Sequence, residues 1–297
     1  MRIGVDLGGT KTEAIVLGAD GEELLRRRVP TRRESYETVV GTVAGLVRSV
    51  ESELGIEATV GAGTPGAISP ATGLLKNANL TVLNGRPLDR DLERALDREL
   101  RIANDADCLA LSEATDGAGA GQRTVFAVII GTGTGGGLTV DRGIVSGPNA
   151  IGGEWGHNPL PWPTAEEGDG PDCYCGRRGC IETYLSGPGM AADHERSTGM
   201  SMSPPDIVEA ARAGDAGAEV TLERYADRLA RGLATLINVI DPDVIVLAGG
   251  MSQITELYTE VPARWQEYVF SDTVATPLVP AVHGDSSGVR GAAWLWD

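Results

Sequence analysis

Three of the chain's four cysteines fall within eight residues, in CYCGRRGC at 173–180. Thiols this close could form a disulfide, hold a metal, or sit together by chance. Cys173 and Cys175 are separated by one residue, a spacing at which a bridge is strained. Zn²⁺ takes four soft or borderline ligands in a tetrahedron, and three thiolates with one imidazole suit it. Cys173, Cys175 and Cys180 supply three ligands, and Gly176 and Gly179 permit a knuckle. Of the three histidines, His157 lies nearest upstream. With every position filled by protein, such a zinc is structural rather than hydrolytic, and its work is to pin a loop. Cys108 has apolar neighbours on an expected helix and reads as a small buried hydrophobe.

The glycine clusters suggest a second chemistry. DLGGTKT (6–12) follows an apolar strand. Gly8 and Gly9 let backbone amides approach an oxyanion, Thr10 adds a hydroxyl, and Lys11 adds a cation. GTGTGGG (131–137) repeats the device with Gly131, Thr132 and Gly133. Neither is a Walker sequence, and no helix follows as a dinucleotide fingerprint requires. One such loop alone reads as an ordinary hairpin turn. Two loops, each after an apolar strand, point to phosphate groups held from both sides. Asp6 ends the first strand and is placed to hold Mg²⁺ indirectly, since that ion keeps several waters. LAGG (247–250) ends a third strand, where Gly249 and Gly250 would let adenosine lie flat on the backbone.

These groups need a scaffold. Residues 2–29 read as three strands joined by turns at Gly8–Gly9 and Gly18–Gly21. Tyr36, Val39, Val40, Val43, Val47, Val50 and Leu54 keep helical spacing. ATVGAGTPG (58–66) is a strand entering a tight turn. Leu88, Leu92, Leu96 and Leu100 mark a second helix, and 101–114 a short strand followed by a third. After DGAGAGQR (116–123) the pattern restarts, with a strand, a glycine turn and a strand over 125–140. A long helix carries Leu222, Tyr225, Leu229, Leu233, Leu236 and Ile240, and the strand VIVLAGG (244–250) comes next. The spacing predicts α/β architecture in two parts, each a mixed sheet with helices.

At 297 residues the chain is at the upper limit for one core, so two domains are expected. The net charge of −17 is hostile to nucleic acid and to anionic membranes. No stretch approaches the roughly 20 apolar residues of a membrane span. No leader is read ahead of MRIGVDLGG, and a cytoplasmic location, where thiols stay reduced, is expected.

DLGGTKTE, GTPG, NDAD, GTGTGGG, GEWGH and CYCGRRGCIE occur in that order. On these motifs the chain resembles the ROK family of bacterial sugar kinases, repressors and related proteins, over essentially its whole length. EWGHNPLPW (154–162) and HGDSSGVRGAAWLW (283–296) look most like the bacterial fructokinase branch. The acidic, proline-rich stretch between His157 and Cys173 is a variable part of that pattern. The resemblance implies an actin-like or hexokinase-like two-domain α/β fold, mixed sheets with flanking helices. The small domain would span 1–118 with 288–297 packed back on it, and the large domain 119–287.

The resemblance also implies roles. Glu154, His157 and Glu182 would hold sugar hydroxyls far from the reacting one, with Gly66, Asn79 and Asn104 contributing from the first domain. His157 would give one ring nitrogen to zinc and the other to sugar, so the metal would set its tautomer. Asp105 would be the general base, with Asp107 the competing carboxylate. Local sequence alone reads Asn104 and Asp105 as helix caps, and Glu182 as a helix-start carboxylate. The implied reaction is ATP-dependent transfer to a primary hydroxyl, D-fructose giving D-fructose 6-phosphate, in a homodimer. Glucose, mannose and N-acetylhexosamine kinases remain alternatives, as does a non-catalytic sugar-sensing regulator. A repressor would need a helix-turn-helix ahead of Asp6, for which this sequence leaves no room.

Overall fold

The computed structural model describes the backbone of residues 1–297 and every side chain except that of Asp285. The chain forms two compact units. Unit 1 holds Met1–Arg123, Gly137–Gly153 and Val282–Asp297, and unit 2 holds Thr124–Gly136 and Glu154–Ala281. The sequence reading drew its second domain as one stretch, whereas 137–153 group with the first unit. The cause is close packing: a Cβ on Gly137 would lie 2.3 Å from the Ala106 carbonyl oxygen.

Unit 1 opens with β1 (Arg2–Leu7), β2 (Lys11–Leu17) and β3 (Glu23–Pro30), then α1 (Tyr36–Leu54) and β4 (Thr59–Thr64). A small hairpin follows, β5 (Ala67–Ile68) with β6 (Leu75–Lys76). Next come α2 (Leu88–Leu96), β7 (Leu100–Asn104) and α3 (Asp105–Thr115). Its sheet has the order β3-β2-β1-β4-β7. β1 is antiparallel to β2 and parallel to β4, and β4 is parallel to β7. The C-terminal ends of the three parallel strands place Asp6, Gly63 and Ala103 in one row. α1 begins in a capping box between Ser35 and Thr38 and ends at Gly55, in the left-handed region at φ 65°. Its Val39, Val43, Val47 and Val50 pack on Ile3, Val5 and Val60 of the sheet core. The second helix is shorter than its leucine spacing suggests. Asp97 adopts φ 55° and ends α2, so Leu100 opens β7 instead.

β8 (Thr124–Ile130) and β9 (Thr134–Val140) follow, and the end of β9 pairs in unit 1 with β10 (Gly143–Ile144). Unit 2 continues through α4 (Glu182–Leu185), α5 (Gly187–Thr198), α6 (Pro204–Arg212) and α7 (Ala216–Ile240). It closes with β11 (Val244–Ala248), α8 (Leu257–Trp265) and β12 (Leu278–Pro280). β9, β8, β11 and β12 are neighbours in that order, with β11 parallel to β8 and to β12. α7 is capped by Asp215 and buries Tyr225, Leu229 and Leu233. α9 (Ser287–Trp294) returns to unit 1. It packs tightly there because glycines face it: a Cβ on Gly4 would lie 2.0 Å from the Val289 oxygen, and one on Gly61 1.9 Å from the Ala292 oxygen. Among the described residues no helix is long and apolar enough to cross a membrane.

Candidate active site

The sequence-predicted site residues form one group on each unit. In unit 1, Asp6 ends β1 and pairs in register with Glu13 of β2. Between them the Gly8 N–H donates to the Lys11 carbonyl at 3.0 Å, closing the turn that carries Gly9 and Thr10. Thr31 braces this turn, as the motif did not reveal. Its hydroxyl donates to the Gly8 carbonyl at 2.7 Å, and its N–H donates to the Thr10 carbonyl at 2.9 Å.

Asn104 ends β7, and Asp105 starts α3. The Ala106 N–H is shared between Asn104 Oδ1 at 2.9 Å and Asp105 Oδ1 at 2.8 Å, so the capping geometry is real. The Asn104 amide donates to the Gly66 carbonyl at 3.1 Å. Asn79 is exposed, beside a segment that Asn84 holds by two 2.9 Å bonds to the Ala78 backbone. Burial, then the charge of Asp105, then that of Glu13 push the Asp6 carboxyl up to about 7, against the pull of Lys11 and Arg28. Asp6 at the end of β1 and Asp105 at the start of α3 are hard oxygen donors of the kind Mg²⁺ takes. Gly288, near the start of α9, was given no site role from sequence. A Cβ there would stand 3.9 Å from the Asp6 carboxyl carbon and 4.0 Å from the Asp105 carbonyl oxygen. Cys108 is fully buried, and burial raises its thiol well above the usual range.

In unit 2 the knuckle is formed. His157 Nδ1 lies 3.6 Å from Cys173 Sγ, and Cys175 Sγ lies 3.6 Å from Cys180 Sγ. Ligand atoms of all four residues lie within 4.8 Å of one another. Zn–S bonds of about 2.3 Å in a tetrahedron place ligands about 3.7 Å apart, so these residues fit zinc. A disulfide needs sulfurs about 2.05 Å apart, and all four cysteines are free thiols. The other ring nitrogen, expected to face sugar, is bonded to the Tyr174 hydroxyl at 2.9 Å. Tyr174 is 83% exposed, so this phenol is a contact from the surface.

Backbone bonds join the knuckle to the GEWGH segment. Leu160 N–H donates to the Gly179 carbonyl at 2.8 Å, Ile181 N–H to Asn158 at 2.9 Å, and Glu182 N–H to Gly156 at 2.9 Å. Glu154 is exposed, while Trp155 is buried and donates its indole N–H to the Gly135 carbonyl at 2.8 Å. The acidic stretch after His157 is mostly exposed but is anchored at Glu167. Glu167 accepts from Arg228 at 2.8 Å and from Arg231 at 2.7 and 2.9 Å. Asp193 pairs with Arg228 at 2.9 Å and Arg224 at 2.8 Å, extending the network to α5.

The second glycine turn borders a cavity of about 650 Å³ within unit 2. Gly131, Thr132 and Gly250 line it beside Pro188, Pro204, Met251 and Ile254. An apolar cleft of this size with glycine backbone along one wall can seat a flat heterocycle and present amides to phosphate. Gly133 and Gly249 flank these lining residues in sequence.

The model of the ROK family matches residues 2–297. The chain belongs to the ROK family. An N-acetyl-D-glucosamine kinase from Aliivibrio salmonicida (strain LFI1238) is 38% identical over 299 residues, covering 99% of each chain. The crystal structure of a ROK hexokinase from Thermus thermophilus matches with a TM-score of 0.87 at 30% identity, over 98% of this chain and 96% of that one. A ROK family glucokinase from Streptomyces griseus, solved with glucose and AMPPNP, gives a TM-score of 0.79 at 27% identity, over 99% and 98%.

Proposed function

We propose that this ROK protein is an ATP-dependent sugar kinase whose preferred substrate is N-acetyl-D-glucosamine. The observation that carries the kinase reading is the placement of Asp6 at the end of β1 and of Asp105 where β7 passes into α3, at the same edge of the unit 1 sheet as the Gly8–Lys11 glycine turn. The choice of sugar is supported by the end-to-end likeness to a kinase named for that amino sugar. The fructose expectation has no comparable support from these relatives.

Asp105 accepts the proton of the attacking sugar hydroxyl as phosphoryl transfer proceeds. The transition state is loose, so holding the γ-phosphate and neutralising its charge supply most of the rate. In unit 1, Lys11 and the amides of Gly8 and Gly9 are groups suited to that work; in unit 2, the Gly131–Gly133 turn offers amides of the same kind to nucleotide phosphate. The unit 2 cavity takes the adenosine. Mg²⁺, when bound, neutralises phosphate charge, and Asp6 is the residue placed to hold it. His157, Cys173, Cys175 and Cys180 would hold zinc, which would fix the imidazole and brace the loop between Glu154 and Glu182; the carboxylates of these two residues accept hydrogen bonds from sugar hydroxyls.

An assay coupled to ADP release tests this with N-acetyl-D-glucosamine, glucose, mannose and fructose. The highest kcat/KM is expected with N-acetyl-D-glucosamine. A higher value with fructose transfers the chain to the fructokinase reading, and ADP release with no sugar of the four removes the kinase reading altogether.

A further inference from the structure

We infer that Glu182 positions the Gly131–Thr134 phosphate turn as well as holding sugar, so that the two ligand sites of unit 2 are coupled through one carboxylate. The inference rests on the kinase reading and goes beyond it.

A carboxylate has two oxygens, and Glu182 has committed one. Its Oε2 accepts the Thr134 N–H at 2.9 Å. That amide opens β9, directly after the glycine turn. Gly133 makes the approach possible, because a Cβ there would lie 2.7 Å from the same oxygen. The turn is gripped at its other end too. Gly187 N–H donates to the Gly131 carbonyl at 2.8 Å, while Gly131 N–H closes on the Gly133 carbonyl at 2.9 Å. Both grips come from one short segment, Glu182–Gly187, that leaves the cysteine knuckle directly. The Glu182 backbone is itself held by the Gly156 carbonyl at 2.9 Å, in the segment that carries Glu154 and His157.

This wiring has a thermodynamic consequence. A sugar hydroxyl on the second oxygen immobilises the carboxylate, and an immobile carboxylate holds the Thr134 amide and the turn in place. A nucleotide phosphate on the turn does the reverse. Coupling between two ligands is reciprocal, so each must tighten the other by the same factor.

Two conservative variants separate positioning from charge. Glu182→Gln keeps the side-chain length and an acceptor oxygen but loses the charge. Glu182→Asp keeps the charge but is one methylene too short to reach Thr134. ADP binding to the zinc-loaded full chain is measured by calorimetry, with and without N-acetyl-D-glucosamine. Wild type is expected to bind ADP at least about fivefold tighter with sugar present. Glu182→Asp is expected to bind ADP on the order of tenfold more weakly without sugar, and to lose the coupling. Glu182→Gln is expected to lose less ADP affinity without sugar than Glu182→Asp, because its neutral acceptor oxygen still reaches the Thr134 amide, and its sugar affinity falls. Glu154→Gln, which lies outside the Thr134 contact, is expected to weaken sugar alone. Amide hydrogen exchange at Thr134 gives an independent readout, faster in Glu182→Asp than in Glu182→Gln. Wild-type ADP affinity in Glu182→Asp, or equal losses in the Asp and Gln variants, overturns the inference and leaves the kinase reading intact. A wild-type chain that binds no ADP overturns the kinase reading, and the inference with it.

Discussion

Asp105 is a helix-start residue in the structure and the general base in the proposed mechanism, two duties that local sequence could not separate. It accepts the Ala106 N–H at the start of α3, as a cap does, and its charge is among the causes that lift Asp6 to about 7. Magnitudes distinguish the duties. Losing a cap costs about 1 kcal/mol, whereas losing a general base costs roughly 10²–10⁴ in turnover. Asp105→Asn keeps an oxygen for the Ala106 amide. It is therefore expected to melt close to wild type and bind sugar within a few-fold, while kcat falls by roughly 10²–10⁴. Steady-state kinetics beside calorimetric sugar binding check this, and turnover within tenfold of wild type removes Asp105 from the role. At this scale legibility followed distance along the chain. The three cysteines declare themselves because their chemistry is local to eight residues. The Glu182 contact with Thr134 was hidden, since it spans 48 residues and any glutamate at a helix start reads alike. Thr31, Asn84 and Gly288 were missed for a related reason. They act through backbone bonds or through having no side chain, and neither leaves a motif.

The segment between His157 and Cys173 shows what composition hides at the scale of elements. PTAEEGDGPD reads as an acidic, proline-rich and variable linker, yet its Glu167 is drawn onto two arginines of α7 that are only 6% and 2% exposed. Burial alone would raise the Glu167 carboxyl, but hydrogen bonds from Arg231, Arg228 and the Thr164 N–H bring it down to about 2. Between pH 4.5 and 2 the unfolded chain therefore binds more protons than the folded one. Stability from this group is complete above about pH 4.5 and is lost as the pH falls towards 2. Removing one partner of a buried ion pair strands the other, at a cost of about 3–5 kcal/mol. Glu167→Ala is expected to lose that much in urea unfolding at pH 7, with the gap to wild type closing as the pH falls to about 2. A gap that stays constant with pH assigns the loss to packing instead. Where an element's signal was its own periodicity, as in α1 and the apolar face of α7, the reading matched the structure. The end of α2 did not, because a left-handed Asp97 interrupts a leucine spacing that continues into β7.

The whole chain divides into two compact units, and the thiol cluster belongs entirely to unit 2. A structural zinc adds its binding free energy to the folding of whatever closes around it. Here that would be the 156–187 loop, and through Gly187 and Glu182 also the turn at 131–134. The two-part organisation was visible in the restart of the strand-and-glycine pattern at residue 125. The assignment of 137–153 was not, because it is decided by how closely Gly137 packs on α3. Metal removal is the perturbation that reads this division. Purified protein is expected to carry about one zinc per chain, and a chelator is expected to lower the melting temperature. Hydrogen exchange should then quicken across 156–187 and 131–134, while the unit 1 sheet from Arg2 to Thr64 keeps its protection. Acceleration spread evenly over both units would mean that the metal braces the whole chain. Unchanged exchange after zinc loss would mean that Cys173, Cys175 and Cys180 hold their loop without it, and that the imidazole of His157 owes its orientation to Tyr174 instead.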